Sequence, residues 1–485
     1  MREVQGAAEE TGSGKPGSGR PVVGVVLAAG QGKRLRSRLP KVLHEIMGSS
    51  LLALLLHVLK KAGIERRLVV ATPGSGVERV LPPDVEVCFQ KEPRGTADAV
   101  ASALDYLGEA HFTLLVVNGD TPLLRPETLA GCLKAHLDSG RDCTLLTARL
   151  QDPTGYGRAL RGSEGELLRV VEEKDASSEE RSCREVSSGV YCLEVTPLRQ
   201  VLPLVRPDNR QGELYLPDVI PLLRERGYST GAVEAEDPEE ILGVNTREEL
   251  ARAEAVLRER TARRWMEEGV TIADPSSVHI SPLAEIGPDT VVYPHTFIYG
   301  ETVIGEECRI GPFSFLRSCR LEDGVRFFFS VAEEASLGRG TTVGPFSHLR
   351  PGTRLAAGVR VGNFAEIKNS SVGEGTKVPH HSYLGDAEVG KEVNIGAGAI
   401  TVNFDGKRKH PTRIEDQAFI GCNVNLIAPL VVGPRAIVAA GSTVNRDVPP
   451  DSLAIARSRQ ENKEGWAKRW KGGSKSPDNP RGTTG

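Results

Sequence analysis

The feature that most restricts this chain is a period of six. Val325, Val331, Leu337, Val343, Leu349, Leu355, Val361 and Ile367 stand six residues apart, and Ile414, Ile420, Leu426, Val432, Val438 and Val444 repeat the interval after a break. With aliphatic residues at about a quarter of positions, eight successive hits arise by chance on the order of 10⁻⁵ of the time. A helix needs intervals of three and four, so the pattern is not helical. A six-residue repeat implies a parallel β-helix, each repeat forming one short strand and one corner with its aliphatic side chain inward. The next residue is often small (Ala332, Gly338, Gly344, Gly362, Gly421, Gly433, Ala439), as a tight corner requires. Such a coil buries its face only by stacking on its neighbours. The frame slips at 367–372 and 384–389, and NFDGKRKHPTR (403–413) interrupts it. A loop that leaves a rigid stack is a usual place for function.

The first half reads differently. PVVGVVLAA (21–29), RLVVAT (67–72) and FTLLVVNGD (112–120) are buried-strand patterns, and LLALLLHVLKKAG (51–63) is a helix ending at Gly63. This alternation implies βαβ units and a mostly parallel sheet. Residues 246–268 contain no Gly or Pro, and Thr246 with Glu249 forms a capping-box pattern, so one long connecting helix is expected, ended by Gly269. The expected organisation is a tail (1–20), an α/β domain (21–244), a linker helix (245–268), a β-helix (269–459) and a second tail (460–485). The first tail and the GGSKSPDNPRGTTG end of the second (472–485) read as disordered from their composition.

Charge and composition exclude several classes. A formal net charge of −3 gives no electrostatic footprint for nucleic acid. No apolar run is long enough for a membrane span, and the first residues lack the apolar core of a signal peptide. The eight cysteines form no CxxC pair, which argues against a zinc cage or disulfide framework and for a reduced, cytoplasmic protein.

Two stretches carry recognisable chemistry. In LAAGQGKR (27–34), Gly30 and Gly32 allow close backbone approach, and successive N–H groups in such a turn cradle phosphates. The glycines alone fit a plain turn equally well; Arg34 and Lys41, placed to neutralise phosphoryl charge, favour phosphate binding. Asp120, at the end of a buried strand, stands where open parallel sheets bind ligands, and a carboxylate there suits Mg²⁺. Taken alone, it reads as a turn or helix-capping acid.

In order along the chain stand LAAGQGKRL, PKVL, QKEPRGTADA (90–99), NGDTPLL, DPTGYGR (152–158), VVEEKDA (170–176), QGELYLPD (211–218) and GVNTREEL (243–250). Together they resemble the sugar-1-phosphate nucleotidyltransferases. Followed by hexapeptide repeats containing RPGTRL (350–355), VGNFAEIKNS (361–370), PHHSYLGDAEVG (379–390), VNIGAG (393–398) and FIGCNVNLIAP (419–429), the chain resembles the bifunctional N-acetylglucosamine-1-phosphate uridyltransferase/glucosamine-1-phosphate acetyltransferase family over residues 22 to about 466. The resemblance implies a Rossmann-like nucleotidyltransferase domain, a long linker helix and a left-handed parallel β-helix of hexapeptide repeats. It implies UTP, acetyl-CoA, glucosamine-1-phosphate and N-acetylglucosamine-1-phosphate as substrates, Mg²⁺ as cofactor and a homotrimer with acetyl-transfer sites between subunits. It further implies that the product feeds peptidoglycan and lipopolysaccharide synthesis.

Roles follow by resemblance. Leu27, Ala28, Ala29 and Gly30 line the nucleotide, Arg34 and Lys41 contact phosphates, and Gln90, Gly95 and Thr96 read uracil. Asn118, Gly119, Gly157, Glu172 and Ser187 complete the UDP-sugar site, and Asp120 with Asn245 holds Mg²⁺. In the second half, His380 is the general base, chosen over His381 by its distance from the YLGD tyrosine. Arg350, Lys368, Tyr383 and Asn394 hold glucosamine-1-phosphate. Ala397, Asn403, Phe404, Cys422, Ala440 and Arg457 border acetyl-CoA. Without its flanking motifs, His380 reads as a surface or packing residue.

Five positions depart from the family pattern: Ser187 for Asn, Asp98 for His or an uncharged residue, Pro217 for Thr, Phe404 for Tyr and Cys422 for Ser. Two further readings are a nucleotidyltransferase with regulatory repeats and a β-helix serving only as a trimerisation scaffold. A bare scaffold needs the aliphatic period but not the polar groups of PHHSYLGD, VGNFAEIK and RPG.

Overall fold

The computed structural model describes residues 21–30 and 32–471. The first tail, 1–20, and residues 472–485 of the second lie outside the described residues. The rest gathers into two compact units, one running to Arg320 and one starting at Leu321.

The first unit is built on a twisted sheet. Its strands run in the order Thr230–Glu234, Cys143–Arg149, Glu185–Glu194, Thr113–Asn118, Val22–Leu27, Arg66–Ala71 and Val85–Phe89. All neighbours pair parallel except Glu185–Glu194, which is antiparallel to both strands beside it. The central strands are apolar throughout because both faces are covered. Val23, Val25, Leu114 and Val116 pack on one side with the helix Thr96–Leu107, and Val26, Leu115 and Val117 pack on the other with the helix Leu51–Lys61. Ser50 caps that second helix by accepting from the Ala53 N–H at 3.1 Å, and Gly63 follows its end at φ +82°.

The expected long helix is Arg247–Glu267. Its capping box is complete: Thr246 Oγ1 accepts from Glu249 N–H at 3.1 Å, and Glu249 Oε2 accepts from Thr246 N–H at 2.9 Å. Gly269, at φ +89°, follows its last turn. Ala253 and Leu257 bury one stripe of this helix against Ile46, Met47, Leu51 and Leu123. β-Helical coils begin directly afterwards. Ile280, Ile298 and Leu316 stack in register on one face, and Val292 stacks on Ile310 on the next. The six-residue spacing from Ile280 to Leu316 extends the period upstream of the stretch in which it is most conspicuous.

The second unit continues the pattern as three parallel sheets of very short strands, the left-handed parallel β-helix of hexapeptide repeats. Leu349, Ile367 and Leu384 form one internal column. Each such buried side chain contributes about 1.5–3 kcal/mol of apolar burial. The expected inward position of Val331 is not found: Val331 is exposed and Ala332 is fully buried. Five-residue sides run from Phe327 to Ala332 and from Ala332 to Leu337, so the frame slips there by one residue and reverses which neighbour faces in. Phe327, which opens the first of these short sides, is also fully buried. The slips at 367–372 and 384–389 occur as expected, with Val372 and Val389 buried. Glycine is required where coils come closest: a Cβ on Gly362 would lie 1.9 Å from the Pro379 carbonyl oxygen of the next coil.

Candidate active sites

In the first unit, the carboxyl ends of two adjacent strands make the floor of a cavity of about 650 Å³. Leu27 and Asn118 are register partners, so the LAAG and NGD turns leave the sheet side by side. Gly119 permits this, because a Cβ there would meet Leu27 O at 2.9 Å and Val42 Cγ1 at 2.8 Å. The walls include Leu27, Ala29, Gly30, Arg34, Lys41, Gln90, Gly95, Thr96, Asn118, Asp120 and Asn245, all expected from the sequence. Glu213 also lines it and was not expected; its exposed neighbours in QGELYLPD give no chemical signal.

One ammonium organises this cavity. Lys41 Nζ donates to Asn245 Oδ1 at 2.6 Å and ion-pairs closely with Asp120. Both oxygens belong to the expected metal ligands, so a carboxylate and an amide oxygen already converge on one cation. Asn245 is held from behind, its N–H donating to Glu249 Oε2 at 2.6 Å. The capping box of the long helix therefore positions this side of the site.

Gly157, Glu172 and Ser187 gather nearby. Ser187 N–H donates to Gly157 O at 2.9 Å, and the Glu172 carboxylate packs on Gly157, where a Cβ would stand 3.1 Å from Glu172 Oε1. Burial, then Asp175 and Asp218, pushes the Glu172 carboxyl above its ordinary pKa. Asn118 links the two groups by packing on Gly189, two residues beyond Ser187. Of the departures here, Pro217 is accommodated: it is the second residue of the 3₁₀ turn Leu216–Asp218, where its missing N–H costs little.

Opposite the phosphate turn, residues 93–97 lock onto 214–216. Ala97 N–H donates to Leu214 O at 2.9 Å, Leu214 N–H to Arg94 O at 2.7 Å, and Leu216 N–H to Thr96 Oγ1 at 2.9 Å. Gly95 sits at φ +127°, and a Cβ there would lie 2.3 Å from Leu214 O.

The second unit carries a different cluster. His380 pairs in register with Asn363 of the preceding coil, and His380 Nδ1 stands 2.7 Å from Asn363 Oδ1. An amide oxygen only accepts, so Nδ1 is the ring nitrogen that donates here, and Nε2 is the one left to act as a base when the ring is neutral. Asn363 was not singled out from the sequence, although it lies within VGNFAEIK. On the adjoining sheet, Glu366 pairs with Tyr383 and Lys368 with Gly385. Arg350 donates to Glu366 Oε1 at 2.8 Å. Lys409, from the inserted loop, stands against Lys368 and, with Arg350, pushes the Lys368 pKa down. Three cations thus share one face, a geometry for an anion. Lys409 was likewise not singled out; the basic run KRKH is its only signal.

Tyr383 and Asn403 close over Gly385, whose missing Cβ would lie 2.4 Å from Tyr383 Oη and 2.7 Å from Asn403 Nδ2. Ala397, Cys422 and Ala440 align along one corner, joined by Asn423 N–H to Ala397 O at 2.7 Å and Gly441 N–H to Cys422 O at 2.8 Å. The Arg457 side chain lies beside Gly441. Phe404 is exposed and bridges to Lys409 across the loop. Asn394 stands apart on the sheet that carries Lys377, not with Tyr383. Among the described residues, no helix is long and apolar enough to cross a membrane.

A phosphate-binding turn beside a paired acid and amide, at the carboxyl edge of an α/β sheet, defines a nucleotidyltransferase unit, here joined to a hexapeptide β-helix. Residues 24–187 match the MobA-like NTP transferase domain family. The chain is 48% identical over 448 residues to the "Bifunctional protein GlmU" of Geobacillus sp. (strain WCH70), covering 92% of this chain and 97% of that protein. Identity is 47% to the proteins of the same name from Carboxydothermus hydrogenoformans, over 92% of this chain and 100% of the relative, and from Heliobacterium modesticaldum, over 93% and 98%. The chain belongs to the bifunctional GlmU family.

Proposed function

We propose that the chain makes UDP-N-acetylglucosamine in two steps, acetylating glucosamine-1-phosphate from acetyl-CoA in the β-helix and then transferring a uridylyl group from UTP to N-acetylglucosamine-1-phosphate in the α/β domain. The observation that carries this reading is the presence, on one chain, of two chemically unlike polar clusters: the Lys41–Asp120–Asn245 set and the Asn363–His380 pair.

In uridylyl transfer the sugar phosphate is already a nucleophile. Its oxygen attacks the α-phosphorus of UTP in line, and pyrophosphate leaves. No strong base is needed, so the protein contributes positioning and charge neutralisation. The backbone from Leu27 to Gly30, Ala28 included, lies along the nucleotide, and Arg34 and Lys41 offset charge on the departing phosphates. Gln90, Gly95 and Thr96 face the base; Gly157, Glu172 and Ser187, with Asn118 and Gly119, face the amino sugar. Asp120 and Asn245 fit Mg²⁺, since two hard oxygens already converge on the Lys41 ammonium. When bound there, Mg²⁺ supplies Lewis-acid stabilisation of phosphoryl charge.

In acetyl transfer, Arg350, Lys368 and Lys409 hold the sugar phosphate. His380 Nε2 takes a proton from the sugar ammonium, and the freed amine attacks the thioester carbonyl. The C–S bond breaks and CoA leaves as the thiol. The corner Ala397–Cys422–Ala440, with Asn403, Phe404 and Arg457, borders the acyl donor. Asn394, on a different sheet from Tyr383, serves the site of a neighbouring subunit in a homotrimer. The uridyltransferase domain spans 21–244, the linker helix 245–268 and the acetyltransferase 269–459. The enzyme works in the cytoplasm and supplies precursors of peptidoglycan and lipopolysaccharide.

Following CoA thiol release and pyrophosphate release separately tests the assignment. His380→Ala abolishes only the first signal and Asp120→Ala only the second. Loss of both in either folded variant overturns the two-site reading.

A further inference from the structure

Gln90 is 4% exposed, yet it lines the nucleotide cavity. Its Nε2 donates to Gly95 O at 3.1 Å and to Asp98 Oδ2 at 2.8 Å. Both partners are pure acceptors. The amide nitrogen therefore has to face them, and the carbonyl Oε1 has to face away. Oε1 has no protein partner among the described residues, which leaves it as the atom offered to a ligand. Asp98 is itself fixed: it lies in the first turn of the helix Thr96–Leu107, where a negative charge is favoured, and Arg94 Nε stands 3.5 Å from its Oδ1.

We propose that Asp98 is a specificity-determining positioning residue, whose carboxylate locks the Gln90 amide so that the nucleotide site presents an acceptor and selects a base with a ring N–H. The inference rests on the reading of this cavity as a UTP site. Uracil carries a donor at N3. Cytosine carries a lone pair there, which would face Oε1 acceptor to acceptor. A site built to bond an N–H rejects an analogue that lacks it, because the buried acceptor is left unpaired. With Asp98 removed, only Gly95 O restrains the amide. A rotated amide then places an N–H toward the base, which suits cytosine.

The test compares kcat/KM for UTP and for CTP in the full-length enzyme, scored by pyrophosphate release with N-acetylglucosamine-1-phosphate. In Asp98→Asn and Asp98→Ala the UTP-over-CTP ratio falls roughly tenfold, chiefly through a higher KM for UTP and a lower KM for CTP, with kcat for UTP nearly kept. Asp98→Glu, which restores an acceptor-only partner, keeps the ratio. Asp98→Asn is isosteric, so it decides the matter if the alanine variant does not fold. A ratio unchanged in folded variants, whether both substrates suffer equally or neither does, overturns the role of Asp98. Absence of UTP turnover in the unmodified enzyme instead overturns the uridyltransferase reading on which it rests.

Discussion

Replacing Gly362 with alanine tests how tightly the acetyl-transfer site is tied to coil stacking. The new Cβ would lie 1.9 Å from Pro379 O, 2.7 Å from its C and 3.0 Å from its Cα. A carbon–oxygen contact relaxes only at about 3.3 Å, so the two coils must part by roughly 1.4 Å. Backbone cannot rotate away as a side chain can. Overpacking of this kind costs about 1–3 kcal/mol, and each bond lost between the coils adds about 1 kcal/mol. The bonds at risk are His381 N–H to Asn363 O, at 3.0 Å, and His380 Nδ1 to Asn363 Oδ1, at 2.7 Å. With both bonds lost, Gly362→Ala is therefore expected to lose roughly 3–5 kcal/mol in urea unfolding of the β-helix. Pro379 adjoins His380, and a misplacement of about 1 Å costs on the order of 100-fold in rate. CoA thiol release should fall accordingly, while pyrophosphate release holds. A Gly362→Ala enzyme with unaltered urea midpoint and acetyl transfer within twofold would refute the argument that coil spacing positions the base.

Three other outcomes are expected. Asn363→Ala leaves the His380 tautomer unassigned and lowers the acetyl-transfer kcat roughly 10- to 100-fold, whereas Asn363→Asp keeps the Nδ1 proton and moves the acidic limb of the pH–rate profile upward, since a carboxylate raises the imidazole pKa; identical profiles in all three enzymes would remove Asn363 from the mechanism. Glu172 has a folded pKa raised by burial, so its contribution to stability is present below the unfolded value of about 4.3 and is lost as pH rises through the folded one. Glu172→Gln should therefore melt higher than the parent at pH 7 and equally below about pH 4, while KM for N-acetylglucosamine-1-phosphate rises; no difference at pH 7 contradicts this. Lys41→Met removes the ammonium lying between Asp120 and Asn245, so Mg²⁺ should bind the free enzyme roughly tenfold tighter by calorimetry although uridylyl transfer is lost; unchanged affinity would mean that the ammonium and the metal do not compete.

Much of the architecture was legible because packing imposes a period. The buried strands, the capping box at Thr246 and the stop at Gly269 each follow from a local rule. Val331 was misread because spacing alone does not reveal a five-residue side, and a slip of one residue exchanges inside for outside. The coils from Ile280 to Leu316 were readable on the same period, and Gly287, Gly305 and Gly311 follow their aliphatic residues as in the later coils, yet this stretch was not picked out. Candidate residues such as Lys41 and Asp120 were picked out by motif, but their direct contact joins residues far apart in sequence. Asn363 and Lys409 were missed for the same reason. The contacts that single them out come from the stacking of one coil on the next and the folding back of a loop, which no spacing along the chain encodes.

The stacked coils also act as a ruler. Arg350 and Lys368 occupy equivalent places on successive turns, so their backbones stand one strand spacing apart, about 4.8 Å. Adding or deleting a whole turn upstream would slide this graduation without rotating it, whereas losing a whole six-residue side would rotate it onto another side of the prism; a single lost residue is absorbed, as in the five-residue sides ending at Val372 and Val389. Insertions that survive in this molecule should therefore come either as complete circuits or, like 403–413, as side loops that leave the scale unread.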